Sequence, residues 1–150
     1  MAQQTSLLAW GTNDHGQLGL GYDSSKFKYP LKQIKNVGNI VWTQVECGGW
    51  HTVALSRNGE VFTWGRNSFG ELGHGDTKER HVPTKVESLS GKRIVKVACG
   101  TNHTVAVTAT GELLTWYVAM GHHTAYIQFQ HSFVILLSKG RWMSWATWTW

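Results

Sequence analysis

The sequence has few cysteines, few prolines and few charges: 2 Cys, 2 Pro and 15% charged residues in a chain of 150. Two cysteines are too few for the disulfide framework of a small secreted domain. The opening "MAQQTSLLAW" lacks both the charged flank and the apolar run of a signal peptide. Without such a signal, the glycosylation pattern Asn102-His103-Thr104 carries no weight. The expectation is an intracellular, reduced protein of the cytoplasm and/or nucleus. The apolar run "FVILL" is far too short to cross a bilayer, so no membrane span is expected.

Catalytic patterns are also missing. The chain holds no GxSxG, no HExxH and no P-loop. "GQLGLG" and "GELGHG" have close glycines but no Lys-Ser/Thr and no helix start to cradle a phosphate. Glu60 and Glu112 each follow a turn glycine and read as exposed strand starts, not as an acid/base pair. Cys47-x3-His51 and Cys99-x3-His103 have metal-ligand spacing, but they recur at matching places and read as packing. His122-His123 is a weaker signal of the same kind. No catalytic residue, cofactor or metal is expected, and the chain does not read as an enzyme.

Glycine and tryptophan are plentiful, at 17 and 9 residues. With many β-branched residues, that composition favours an all-β chain with tight turns. The chain also repeats. Val45–Trp64 aligned with Val97–Trp116 gives 11 identities in 20 positions. "WGTNDHGQLGLG" (Trp10–Gly21) matches "WGRNSFGELGHG" (Trp64–Gly75) at 7 of 12. A period of about 52 residues falls in the range of propeller blades and similar arrays. Each unit reads as short antiparallel strands: "HTVALS", then a type I′ turn at Asn58-Gly59, then "EVFTW". Thr110-Gly111 is a weaker version of that turn. "IVKVAC" makes another strand, and the proline-bearing "VPTKV" suits an edge. Trp10, Trp64 and Trp116 read as equivalent core anchors, and Cys47 and Cys99 as sharing one structural role. His51, His103, Gly59 and Gly111 complete that framework with the loop glycines Gly16, Gly19, Gly21, Gly70, Gly73 and Gly75.

These motifs resemble the RCC1 (regulator of chromosome condensation) repeat family. The residues carrying the resemblance are the "WGxNxxGxLGxG" loop, the following proline, "VxCGxxHT" and "GExxTW", and they cover about residues 7–116. The resemblance implies a β-propeller of four-stranded antiparallel blades. About two repeats cannot close a ring, so the expected fold is an incomplete propeller over residues 1–116. Its open blade edges would favour self-association or partner binding.

At Tyr117 the family's glycine is missing and the composition changes. Residues 117–150 contain no acidic residue and four of the nine tryptophans. This divergent tail is read as unrelated sequence, an alternative end to a longer propeller, with a degenerate shortened repeat as the other reading. The net charge of +5 is dispersed, which permits chromatin or nucleic-acid association without arguing for it.

The family's propellers serve as platforms for protein partners. The corresponding loop residues here are Asn13, Asp14, His15, Asn67, Ser68 and Phe69, with the unrepeated Trp50 nearby. Family resemblance adds a second function, guanine-nucleotide exchange on a Ran-like small GTPase in a full-length form. It also extends to regulation of a GTPase or ubiquitin-pathway component. Some plant relatives sense ultraviolet light through a Gly-Trp-Arg-His-Thr motif; Gly-Gly-Trp-His-Thr at 48–52 is similar but shifted and lacks the arginine.

Overall fold

A computed structural model describes residues 6–35, 37–117 and 125–126. Its secondary structure is almost wholly antiparallel β. In chain order the strands are β1 (Leu8–Asn13), β2 (Ser24–Gln33), β3 (Trp42–Cys47), β4 (His51–Ser56), β5 (Val61–Gly65), β6 (Arg80–Lys85), β7 (Ile94–Cys99), β8 (Thr104–Thr108), β9 (Leu113–Tyr117) and β10 (Ala125–Tyr126). They form three sheets: β1-β2, β3-β4-β5-β6 and β7-β8-β9-β10. The middle sheet is one complete blade. β1 and β2 correspond to its outer pair, because the Trp10 motif aligns with the Trp64 motif. The sequence repeat therefore starts half a blade out of step with the sheets.

Each hairpin follows from local turn chemistry. The turn bond runs from the Gly59 N–H to the Ser56 carbonyl, 3.0 Å, and Ser56 N–H bonds the Glu60 carbonyl. Arg57 and Asn58 therefore form the turn centre, and Gly59 follows at φ +81°. This is the three-residue hairpin with a glycine bulge, not the two-residue type I′ turn expected from Asn58-Gly59. The Ser56 hydroxyl stabilises it by accepting the Glu60 N–H at 3.1 Å. Thr108 repeats that contact with Glu112 N–H. "VPTKV" lies at the sheet edge as β6, with Pro83 at an irregularity in the β5–β6 register, where its missing N–H leaves no gap in a ladder.

Burial all along β4 and at four of the five positions of β5 gives the middle blade two buried faces. From β4 and β5, Val53, Leu55 and Val61 pack forward onto Ile94, Val97, Ala106, Leu114 and Trp116 of the next blade. Ala54, Phe62, Trp64 and Trp42 pack backward, with Ile34, Leu7 and Ala9. In the backward core Trp42 and Phe62 meet edge-to-face at 5.1 Å. Their repeat counterparts are the smaller Ile94 and Leu114. The bulkier pair sits where no inner strands of the first blade are present among the described residues.

That asymmetry corrects two expectations. Trp64 and Trp116 are core anchors, 1% and 3% exposed, but Trp10 is 69% exposed. Trp64 lies on the loop of the preceding blade, donating from Nε1 to the Gln17 carbonyl at 2.9 Å; no preceding sheet is present among the described residues to provide such a loop for Trp10. Cys47 and Cys99 likewise differ. Cys99 faces strand β3, its Sγ 3.8 Å from the Glu46 carbonyl, whereas Cys47 is exposed, as is Val45 beside it.

Tyr117 closes β9 and pairs with Ala125, while Tyr126 pairs with Trp116. At the equivalent Gly65, φ is +105°, and an added Cβ would sit 2.5 Å from the Trp50 carbonyl oxygen. The readings made of the rest of the tail, His122-His123 included, lie outside the described residues.

The two cysteines should therefore react differently. Burial, with the nearby Glu46, pushes the Cys99 thiol up to about 12, so little reactive thiolate forms. Mass-resolved alkylation of the native chain at neutral pH should modify Cys47 first and Cys99 only on unfolding; equal rates would contradict the packing described.

Candidate functional site

Antiparallel order places the β1–β2, β3–β4, β5–β6 and β7–β8 connections at one end of the blades. These connections carry every residue expected at a partner site. Each long loop is held from within by an asparagine. The Asn13 amide donates to the Tyr22 carbonyl at 2.7 Å, and its oxygen accepts the Leu18 N–H at 3.0 Å. Asn67 repeats the pattern, donating to the Asp76 and Lys78 carbonyls and accepting the Leu72 N–H. Both are 0% exposed. Their side chains are spent inside the loop, so Asn13 and Asn67 are structural and are removed from the partner-facing set.

The other expected residues stay at the surface. Asp14 and Ser68 are exposed, and His15 and Phe69 half-buried. Trp50 is 38% exposed. The His15 ring stands edge-on to Trp50, centroids 5.4 Å apart. The backbone of Trp50 is anchored, since its carbonyl accepts the Arg66 N–H at 2.9 Å. Arg66 then lays its guanidinium over Phe69, 4.9 Å from the ring centroid, and donates from Nε to the Ser68 hydroxyl. His15, Trp50, Arg66, Ser68 and Phe69 therefore form one neighbourhood spanning two sheets. Sequence reading missed Arg66. Its signal was that it breaks the repeat, standing where the first copy has Thr12. Trp50 stands opposite Asn102, and His15 opposite Phe69.

Beneath this surface lies a polar seam. The Thr104 hydroxyl donates to the Glu71 carbonyl at 2.8 Å, so it accepts from His51 Nε2 at 3.0 Å. His51 is thereby the Nε2–H tautomer. Its Nδ1 is buried with no hydrogen-bond partner among the described residues. Protonating Nδ1 would bury an unpaired cation, and burial, with His103 adding, lowers the His51 pKa to about 4. Burial also lowers His74, whose Nε2 donates to the Thr63 hydroxyl at 3.0 Å. His51 and Cys99 are thus inter-blade packing elements, whereas Cys47 is exposed.

A second cluster crosses the first seam. Glu79 Oε1 lies 2.7 Å from His15 Nδ1, and its Oε2 lies 3.7 Å from His81 Nε2. Asp23 joins Glu79 and His81, with one ligand atom of each within 4.8 Å of the others.

The Regulator of chromosome condensation (RCC1) repeat family matches residues 6–55 and again 58–107. The chain belongs to the RCC1 repeat family. Mouse "Probable E3 ubiquitin-protein ligase HERC4" is 39% identical over 128 residues, 83% of this chain and 12% of that one. The Arabidopsis thaliana "Ultraviolet-B receptor UVR8" is 45% identical over 108 residues, 72% of this chain and 24% of that one. The Saccharomyces cerevisiae Prp20p structure, described with its binding properties to Gsp1p and histones, superposes with TM-score 0.67 at 26% identity. It covers 75% of this chain and 29% of that one. Human WBSCR16 gives TM-score 0.68 at 26% identity over 77% of this chain and 30% of that one. The chain thus spans about an eighth of the first of these curated relatives and a quarter of the second. The fold is an incomplete β-propeller of RCC1-type blades.

The His51 contact predicts a pH response. In the unfolded chain this histidine titrates near its ordinary 6.5, while in the fold it stays neutral to about 4. The unfolded state therefore takes up a proton first, and stability falls as pH drops from about 6.5 towards 4. One fully buried histidine with that shift contributes up to about 3 kcal/mol. Urea unfolding at pH 7 and pH 4.5 should show a smaller loss in His51→Gln than in the parent chain. An identical pH slope in the two would contradict the assignment.

Proposed function

We propose that the chain is a protein-interaction module whose partner docks on the loop end around Trp50 and Phe69. The observation carrying this is that His15, Trp50, Arg66 and Phe69 depart from the repeat yet adjoin one another on backbone fixed by the blade seam. Repeated residues serve the blade. Unrepeated aromatic and arginine side chains on a rigid loop have the composition of a binding hot spot. The relatives support this reading. Prp20p is described with binding to Gsp1p and histones, and a second structure of yeast RCC1 (Prp20) has it bound to Kap60.

Guanine-nucleotide exchange on a Ran-like small GTPase, in a longer form of the chain, is the second reading, favoured by the likeness to yeast RCC1. Exchange requires holding the GTPase in a state that binds nucleotide poorly, and hence contacts from several preorganised blades. The described residues form two four-stranded sheets and one two-stranded sheet, fewer than that reading calls for. The HERC4 likeness adds a ubiquitin-pathway partner to the same module reading. Chromatin association is permitted by the net charge of +5 and by the likeness to Prp20p, which is described with binding to histones.

Quantitative affinity enrichment from cell lysate should compare the chain with Trp50→Ala and Phe69→Ala. A subset of captured proteins should fall at least tenfold with both variants, which corresponds to about 1.4 kcal/mol or more. An unchanged set of captured proteins would reject the loop end as the docking surface. Release of labelled guanine nucleotide from a Ran-like GTPase by the parent chain would instead favour exchange.

A further inference from the structure

We propose that Asp23, Glu79 and His81 form a site for a divalent transition-metal ion of the zinc class, clamping the first pair of strands to the complete blade. Asp23 comes from the loop leaving β1. Glu79 and His81 come from the end of the long β5–β6 loop and the start of β6. One ligand atom of each lies within 4.8 Å of the other two. Tetrahedral zinc with bonds of about 2.0–2.2 Å needs ligand atoms about 3.3–3.5 Å apart. Asp23 is exposed and Glu79 and His81 are half-buried, so side-chain rotation is the route to that spacing. The backbone is already in register, because Gly21 N–H bonds the His81 carbonyl at 2.8 Å. Gly16 leaves room for the His81 ring, which a Cβ there would strike.

The donor set selects the ion. One imidazole with two carboxylates suits zinc and its first-row neighbours, whereas calcium and magnesium favour all-oxygen sites. Glu79 presents Oε2 towards His81 and holds Oε1 against His15 Nδ1 at 2.7 Å. His15 is thus an outer partner that orients the carboxylate, the usual support for a metal ligand. The fourth position falls to water.

None of these residues belongs to the repeat framework. Asp23 aligns with Thr77 and His15 with Phe69, and Glu79 and His81 align with the segment 25–28, Ser-Lys-Phe-Lys, which has neither Glu nor His. The blade does not require them, yet four unrepeated residues, two from each sheet's loop, converge at one seam. His15 also touches Trp50, so an ion here would stiffen the proposed docking surface from beneath. The metal site stands independently of that docking.

Cobalt(II) serves as the spectroscopic probe and zinc as the competitor, on the full chain. Wild type should give the intense visible absorption of low-coordinate cobalt at one equivalent, displaced by zinc, and zinc should raise its melting temperature. His81→Ala and the milder Glu79→Gln should lose both signals. His15→Gln should weaken binding roughly 10- to 100-fold. Far-ultraviolet circular dichroism without metal shows whether each variant folds, and Asp23→Asn provides a further exposed replacement. Undiminished cobalt binding in a folded His81→Ala or Asp23→Asn chain would overturn the proposal. So would a thiolate-to-cobalt charge-transfer band, which would place the ion on Cys47, or no binding by wild type.

Discussion

A blade buried on one face only is not stable, so everything in this chain depends on how one sheet covers the next. Hydrophobic packing supplies most of that, through Val53, Leu55 and Val61 against Val97, Leu114 and Trp116. Polar contacts fix its register. The Gln44 amide bonds both the Val97 carbonyl at 2.8 Å and the Val97 N–H at 3.2 Å. Thr104 reaches the Glu71 carbonyl, and Thr52 makes the equivalent bond to the Gln17 carbonyl at 2.9 Å. A carbonyl at the loop end of one blade is thus satisfied by a threonine of the next. This directional bond adds about 1 kcal/mol net and excludes a slipped arrangement.

Function can be built at this seam because the framework leaves positions over. The asparagines, glycines and threonines are committed to loop and register. Residues next to them, such as Trp50, Arg66 and His15, carry no such duty and are free to differ between copies. The loop end therefore combines a rigid base with variable side chains. Similar sequence occurs in relatives named as differently as a probable E3 ubiquitin-protein ligase and an ultraviolet-B receptor.

Much of the fold was legible because repetition exposes structural roles. Two copies of "CGxxHTVA" and "WGxNxxGxLGxG" place the strands, the turns and the anchors Trp64 and Trp116. What repetition hides is neighbourhood. Trp10 and Cys47 are equivalent in sequence to Trp116 and Cys99 but differ in burial, because burial depends on which sheet comes before. Asn13 and Asn67 read as partner-facing from the family's use of these loops, although their recurrence was itself the sign of an internal role. Arg66 and Phe69 were within reach, being close in sequence and unrepeated. The contact of His15 with Glu79, 64 residues away, was not, since nothing local links a loop of one blade to the edge strand of another.

Native-state hydrogen exchange tests the dependence on the seam most directly. Amides of β4 and β5, in the sheet covered on both faces, should exchange only through the chain's most global opening. Those of β1 and β2, which lack inner strands beside them among the described residues, should open at distinctly lower free energy. Equal protection of β1–β2 and β4–β5 would show that a blade pair stands without its inner strands, contradicting the view that face-to-face covering governs this fold.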